Sequence, residues 1–220
     1  MRCVGRNKWY ALRRMERCNA PRLLHPTSLF VSLFVSLCAM LISAAAMADV
    51  TQSVDEQTAL ASWKIDDGNF ELELTQLLPD QTRAFFLARG FSKEIANTIA
   101  TGCIMQTIGR NSGKEVASAP VIDVDLKLWR MLHNGSEGPI RIKEQWDSEW
   151  SSGEVSDKAR LAFRWATFPT QQNFAPGDYG WGMTSFALPP GRHFDLKVVW
   201  SVAGVEKDAW IRGIQCAEER

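Results

Sequence analysis

In the stretch Phe70 to Gln76, FELELTQ, apolar and polar residues alternate one for one. An extended chain points successive side chains to opposite faces, so Phe70, Leu72 and Leu74 share one face, opposite Glu71, Glu73 and Thr75. A helix would scatter that pattern around its circumference; a half-buried strand requires it. The same alternation recurs along the chain. Ile122, Val124, Leu126 and Leu128 alternate with Asp123, Asp125 and Lys127, and Ile140 and Ile142 stand opposite Arg141 and Lys143. Leu161, Phe163 and Trp165 oppose Arg160 and Arg164, and Phe194, Leu196, Val198, Trp200 and Val202 line one face of a longer run. In KDAWIRGIQC, Trp210, Ile214 and Cys216 fall on one face, with Arg212 sharing it. Turn-forming segments, HNGSEGP, SSGEVSD, LPPGRH and SVAGVE, separate these runs. Short one-sided strands with short links predict a mainly β chain, an antiparallel immunoglobulin-like β-sandwich.

One segment breaks the pattern. PDQTRAFFLARG places Pro79 where a helix begins and Gly90 where it stops, and Ser92 caps SKEIANTIATG, in which Ile95 and Ile99 lie four apart. A short helical insertion is therefore expected over about 79–102. Gly102 favours a new strand, rather than more helix, for CIMQTIGRN. Residues 49–68 open with a polar stretch of no clean period, read as a flexible N-terminal segment. Residues 69–220 then form a single β-sandwich domain.

The first 48 residues read as a signal peptide. Seven basic residues against one acidic one precede an apolar run that closes on Ala46-Met47-Ala48, an A-x-A cleavage pattern ahead of Asp49. The basic region is long, and initiation at Met15 would give a more ordinary leader. An uncleaved anchor is opposed by the small residues that end the apolar run. Leu37 is too bulky for lipoprotein processing at Cys38, and Arg13-Arg14 lacks the flanks of a twin-arginine signal. The expected location is exported, periplasmic or extracellular, with no membrane span after cleavage.

Cleavage changes the charge balance. Removing seven basic and one acidic residue from 25 and 25 leaves 18 against 24, a net of −6. That charge, with no basic cluster interleaved with aromatics, argues against a nucleic-acid partner. Two cysteines remain, Cys103 and Cys216, and in an exported chain they are expected to pair as a disulfide.

No motif for phosphate, dinucleotide, zinc or serine-nucleophile chemistry is present, and Asp123 and Asp125 sit together on an outward strand face. The chain is read as leaning away from enzymatic activity, with no catalytic residue assigned. Its chemical possibilities are two. Met131 and His133 lie two apart, and Met183 and His193 flank a glycine-rich hairpin; thioether and imidazole ligands would suit Cu(I) if they converged. Eight tryptophans survive cleavage. Trp165, Trp200 and Trp210 fall on faces read as core, Trp129 on an outward face, and Trp146 and Trp150 in a charged loop, which either folds back to cap the sandwich or presents exposed indoles that would grip a sugar or a partner protein.

The stretch Tyr179 to Met183, YGWGM, adds a further pair of aromatics. Extended, it sets Tyr179, Trp181 and Met183 on one face and Gly180 and Gly182 on the other. Strand glycines cost chain entropy and mark close backbone approach or room for something bulky. The expected occupant is an indole of the domain itself, Trp129 or Trp146, led in by a turn at Pro176-Gly177-Asp178; the alternative is a ligand seat. The candidate binding surface is thus Trp146, Trp150, Tyr179 and Trp181. The leading expectation is an exported, non-enzymatic binding or assembly accessory protein of the cell envelope, its partner an envelope protein or small ligand. Copper handling through Met131, His133, Met183 and His193, and a carbohydrate-binding module, are the alternatives.

Overall fold

Eleven strands and four helices follow one another in the computed structural model, which describes residues 48–113, 119–150 and 153–219. The expected signal peptide lies outside the described residues, apart from Ala48. The first sheet takes β1 (Asp49–Val54), β2 (Ala61–Asp66), β3 (Phe70–Gln76), β4 (Ile104–Asn111) and β9 (Tyr179–Ser185), in the order β1-β2-β3-β4-β9. Every pairing in it is antiparallel. The second sheet is built on β10 (His193–Val202). One edge of β10 pairs with β11 (Val205–Gln215); the other pairs with β5 (Ile122–Asp125) and β6 (Arg130–His133) in succession. Outside these lie β7 (Ser136–Pro139) against β6 and β8 (Gln171–Phe174) against β5.

The expectation of a mainly β chain with antiparallel sheets holds. An immunoglobulin domain divides its strands into Greek-key sheets ABED and CFG. Here four consecutive strands form a meander and β9 joins them. The segment 49–68, read as flexible, is instead the β1–β2 hairpin. Gln52 sits opposite Trp63 and Val50 opposite Ile65, so the buried side chains come from β2 while the exposed β1 supplies backbone partners. That is why the polar sequence of β1 gave no hydrophobic period.

The inner faces of the two sheets share one core. Trp63 and Ile65 of β2 and Phe70, Leu72 and Leu74 of β3 meet Leu196, Val198 and Trp200 of β10 and Ile211 and Ile214 of β11. Burial of that apolar surface is the main term holding the sheets together. Both ends are also clasped by polar groups. At one end the buried carboxylate of Asp67, in the β2–β3 turn, accepts the backbone N–H groups of Phe70 (2.6 Å) and Asn69 (2.9 Å). From the opposite sheet it also accepts the indole N–H of Trp200 (3.0 Å) and the ammonium of Lys207 (3.1 Å). At the other end Cys103, just before β4, is disulfide-bonded to Cys216, just after β11, across 113 positions. Beside it Gln76 Nε2 donates to the carbonyl of Gln215 (2.8 Å).

Helices α1 (Pro79–Leu87) and α2 (Lys93–Ala100) occupy the expected insertion, and Ser92 Oγ accepts the Ile95 N–H as the cap. Two further helices were not legible as such. The expected strand ARLAFRWATF is α4 (Asp157–Ala166), capped by Ser156 Oγ accepting from Ala159 N–H. It buries Ala159, Phe163 and Ala166, a helical spacing, and turns Leu161 and Trp165 outward, correcting the core position given to both. The segment after Ile142, read as a charged loop, is α3 (Lys143–Glu149), opened by Gln145 Oε1 accepting the Ile142 N–H. The four helices bury a second apolar cluster of Phe86, Phe91, Ile99, Trp146, Trp150 and Phe163, with Ile104 of β4 and Met183 of β9 packed into it. They therefore cover one end of the first sheet's outer face.

Two local irregularities account for the remaining misread faces. A 3-10 turn over Leu126–Leu128 breaks the run begun by β5, so Trp129, expected outward, is fully buried with its indole N–H donating to the Val199 carbonyl (3.1 Å), and Leu128 is exposed. In β11, Asp195 of the partner strand stands opposite two residues, Arg212 and Gly213, and Gly213 takes φ +65°. This bulge turns both outward and resets the alternation, so Ile211 is buried beside Ile214 and Cys216, while Trp210 is only half-buried.

Candidate binding face

The glycines of β9 stand where the first sheet receives its own phenylalanines. Gly109 of β4 lies directly opposite Gly180. A Cβ at either position would touch the ring of Phe174 at 3.2 Å, and one at Gly182 would meet the backbone nitrogen of Phe168 at 2.3 Å. The inner face is thus filled from within the protein, as expected in kind. The occupants are Phe174 and Phe168, not Trp129 or Trp146. The turn Ala175–Asp178 leads in through Gly177 at φ +83°, and the buried Asn111 ties it down: Nδ2 donates to the Phe174 carbonyl (3.1 Å), and the Asn111 N–H donates to the Asp178 carbonyl (2.9 Å).

The opposite face of β9 points to solvent. Tyr179 is 68% and Trp181 58% exposed, two large rings on one side of a strand whose other side is wedged by phenylalanine. Antiparallel register places their neighbours. Tyr179 is opposite Arg110, which is opposite Glu71, then Asp66; Trp181 is opposite Ile108, which is opposite Glu73, then Lys64. Lys64 bonds Glu71 at 2.8 Å, and its ammonium is held above the ordinary lysine range mainly by that contact. Among the described residues no side-chain hydrogen bond or ion pair engages the Arg110 guanidinium. A shallow depression of about 510 Å³ lies beside Tyr179, bounded by Glu71, Arg110 and Ser112. Such a floor of rigid rings among hydrogen-bonding side chains can stack on a flat ligand and bond its periphery.

The other expected surface residues lie elsewhere. Trp146 and Trp150, 3% and 8% exposed, are interior residues of the helical layer and not a binding surface. Trp150 packs edge-on to Phe163 (4.9 Å between centroids) and Phe91 (5.4 Å), and the guanidinium of Arg141 covers the Trp146 ring at 3.3 Å. Asp147 between them is held below the ordinary carboxylate range first by its bond to Arg164 and then by Arg160. Amphipathic burial of a short helix, invisible to a period-2 reading, takes the two indoles inside. The hollow between these helices and β9 measures only about 20 Å³, room for a single water.

The four soft ligands are not gathered into one site, although His133 and His193 are neighbours. Met183 packs into the helical cluster, whereas Met131 on β6 packs against the core between the sheets. His133 Nδ1–H donates to the His193 carbonyl (2.8 Å), and Asn134 Nδ2 donates to its Nε2 (3.0 Å), so both ring nitrogens are occupied. Among the described residues no group of three His, Cys, Asp or Glu is arranged to hold a metal ion, and no helix is long and apolar enough to cross a membrane. Sequence reasoning missed Trp165, 80% exposed on α4, and Arg110; the Ser156 cap was the available signal for the first. Comparison with protein-family models, curated proteins and solved structures found no match to this chain.

Proposed function

We propose that the protein is an exported, non-enzymatic binding or assembly accessory protein of the cell envelope, and that it recognises its partner through the open outer face of the first sheet. The observation that carries this is the Tyr179–Trp181 pair. Large aromatic side chains tend to be buried, and two on one strand face left open to water are a recognition feature. The wedge of Phe168 and Phe174 behind them fixes the strand, so little ordering remains to be done on binding. Export is supported by the basic-then-apolar leader ending in A-x-A and by the Cys103–Cys216 disulfide, a bond that persists in oxidising compartments.

The test is site-specific photo-crosslinking in cells. A photoreactive phenylalanine analogue replaces Trp181 in one strain and the exposed Val205, on β11 of the other sheet, in a second. Envelope-derived adducts formed from position 181 and not from 205 are expected. Equal labelling from both, or none from 181, removes the reading.

A further inference from the structure

We infer that the ligand of this face is a neutral, hydroxyl-rich glycan chain, laid along β9 over Tyr179 and Trp181; the inference rests on the binding reading above. Three observations select that chemistry. First, the two rings stand two residues apart on one strand face, roughly 7 Å along the chain, so an extended ligand with successive flat faces can meet both. Stacked sugars present C–H faces to such rings. Second, apart from Ile108 opposite Trp181, the surroundings are hydrogen-bonding rather than apolar. Arg110, Glu71, Glu73 and Gln106 share the outer face with the two aromatics. The core of a protein–protein interface is depleted of Lys, Glu and Asp, and here Glu71 and Glu73 lie on the same face as the anchors. Third, the charges nearly cancel. Asp66, Glu71 and Glu73 against Lys64 and Arg110 leave one net negative charge on a chain whose residues after Ala48 carry −6. A polyanion is repelled by that field, whereas an uncharged polyhydroxyl chain finds both donors and acceptors.

The depression beside Tyr179 fixes the direction. It is bounded by Arg110 and Glu71 at the end of the strand away from the helical layer. The chain therefore runs from this hollow across Tyr179 to Trp181, and stops where Met183 enters the helical cluster.

Affinity electrophoresis and titration calorimetry test this on the protein purified after export from the full-length chain. The probes are laminarin, hydroxyethyl cellulose and galactomannan, with dextran sulfate as the anionic comparison. Retention by at least one neutral glycan is expected. Trp181→Ala should weaken it about tenfold, the loss of one stacked ring, and Tyr179→Ala and Arg110→Ala severalfold. Trp165→Ala, an exposed ring off the sheet face, should leave it unchanged. Thermal melts of each variant separate lost binding from lost folding. Retention by dextran sulfate alone, or glycan binding indifferent to Trp181→Ala and Tyr179→Ala, overturns the inference. No glycan retention together with specific crosslinking from position 181 overturns the glycan and leaves a protein partner; neither signal removes both readings.

Discussion

The backbone of Phe168 occupies the space into which a side chain at residue 182 would project: a Cβ on Gly182 would stand 2.3 Å from the Phe168 nitrogen and 2.6 Å from its Cα. The crossing is held by the Phe168 N–H donating to the Met183 carbonyl (2.9 Å). Backbone cannot swing aside as a side chain can. Gly182→Ala is therefore expected to destabilise the protein by about 1–3 kcal/mol, an overpacking cost. Gly180→Ala meets only the edge of the Phe174 ring at 3.2 Å and should cost less. Urea denaturation of the two variants checks the order; equal midpoints would show that the strand can shift away from Phe168.

Asp67 makes a pH prediction with a definite sign. Burial alone would push its carboxyl upward, but the backbone N–H groups of Phe70 and Asn69, with Lys207 and Trp200, hold it below the ordinary carboxylate range. A carboxyl depressed by folding stabilises the fold above its unfolded pKa of about 4, and that contribution is lost as pH falls below about 4 through the folded value. Stability should thus drop as pH falls below about 4, and Asp67→Asn should flatten the drop. Asp67→Ala leaves the buried indole N–H of Trp200 without its acceptor and is expected to cost about 2–4 kcal/mol at pH 7. Denaturation midpoints of the three proteins at pH 7 and pH 3 measure both effects.

What was legible in the sequence followed from regular periods. Strand β3 alternates cleanly because its two faces meet different media, and α1 and α2 announce themselves through Pro79, Ser92 and Gly90. The glycine strip was legible too, because glycine in a strand says that something approaches closely. Its occupants were not, since Phe168 and Phe174 come from segments whose course depends on α4. The misreadings have two physical origins. Leu161, Phe163 and Trp165 satisfy period two as well as they contradict it, and only the Ser156 cap tells the helix from the strand. The bulge at Gly213 and the 3-10 turn at Leu126–Leu128 each shift the parity once: Ile211 takes the core position that alternation from Ile214 and Cys216 gives to Trp210, and Trp129 turns inward. The candidate face was half legible: Tyr179 and Trp181 from their spacing, Arg110 only from the β4–β9 register.

The tryptophans separate into two classes that mutation should distinguish. Trp150 lies in the helical layer against Phe163 and Phe91, and Arg160 Nη2 donates to its carbonyl (2.6 Å). Trp150→Ala opens a cavity there and is expected to cost about 3–5 kcal/mol. Trp165→Ala and Trp181→Ala remove rings that are mostly in water and should each change stability by no more than about 0.5 kcal/mol. Calorimetric melting temperatures test this; a large loss from Trp165→Ala would mean that its face is covered in solution.

The Cys103–Cys216 bond should matter more for stability than for shape. It joins the start of β4 to the end of β11, and so ties the first sheet to the second across 113 positions of chain. Closing so long a loop restricts the unfolded chain by about 4–5 kcal/mol on the chain-entropy account. The folded contacts around it do not depend on the sulfurs. Gln76 still bridges to the Gln215 carbonyl, and the Cys216 N–H still donates to the Arg192 carbonyl at 2.8 Å. The double variant Cys103→Ala, Cys216→Ala is therefore expected to keep the native far-ultraviolet dichroism at 25 °C while losing about 2–5 kcal/mol, the range seen when a native disulfide is removed. Because the bond is buried, a mild reductant should act on the native protein only as fast as the protein opens. Reduction followed by thiol labelling should track the unfolding rate as temperature is raised. Labelling that is fast at 25 °C, far below the melting transition, would show instead that the β4–β11 end of the sandwich opens locally.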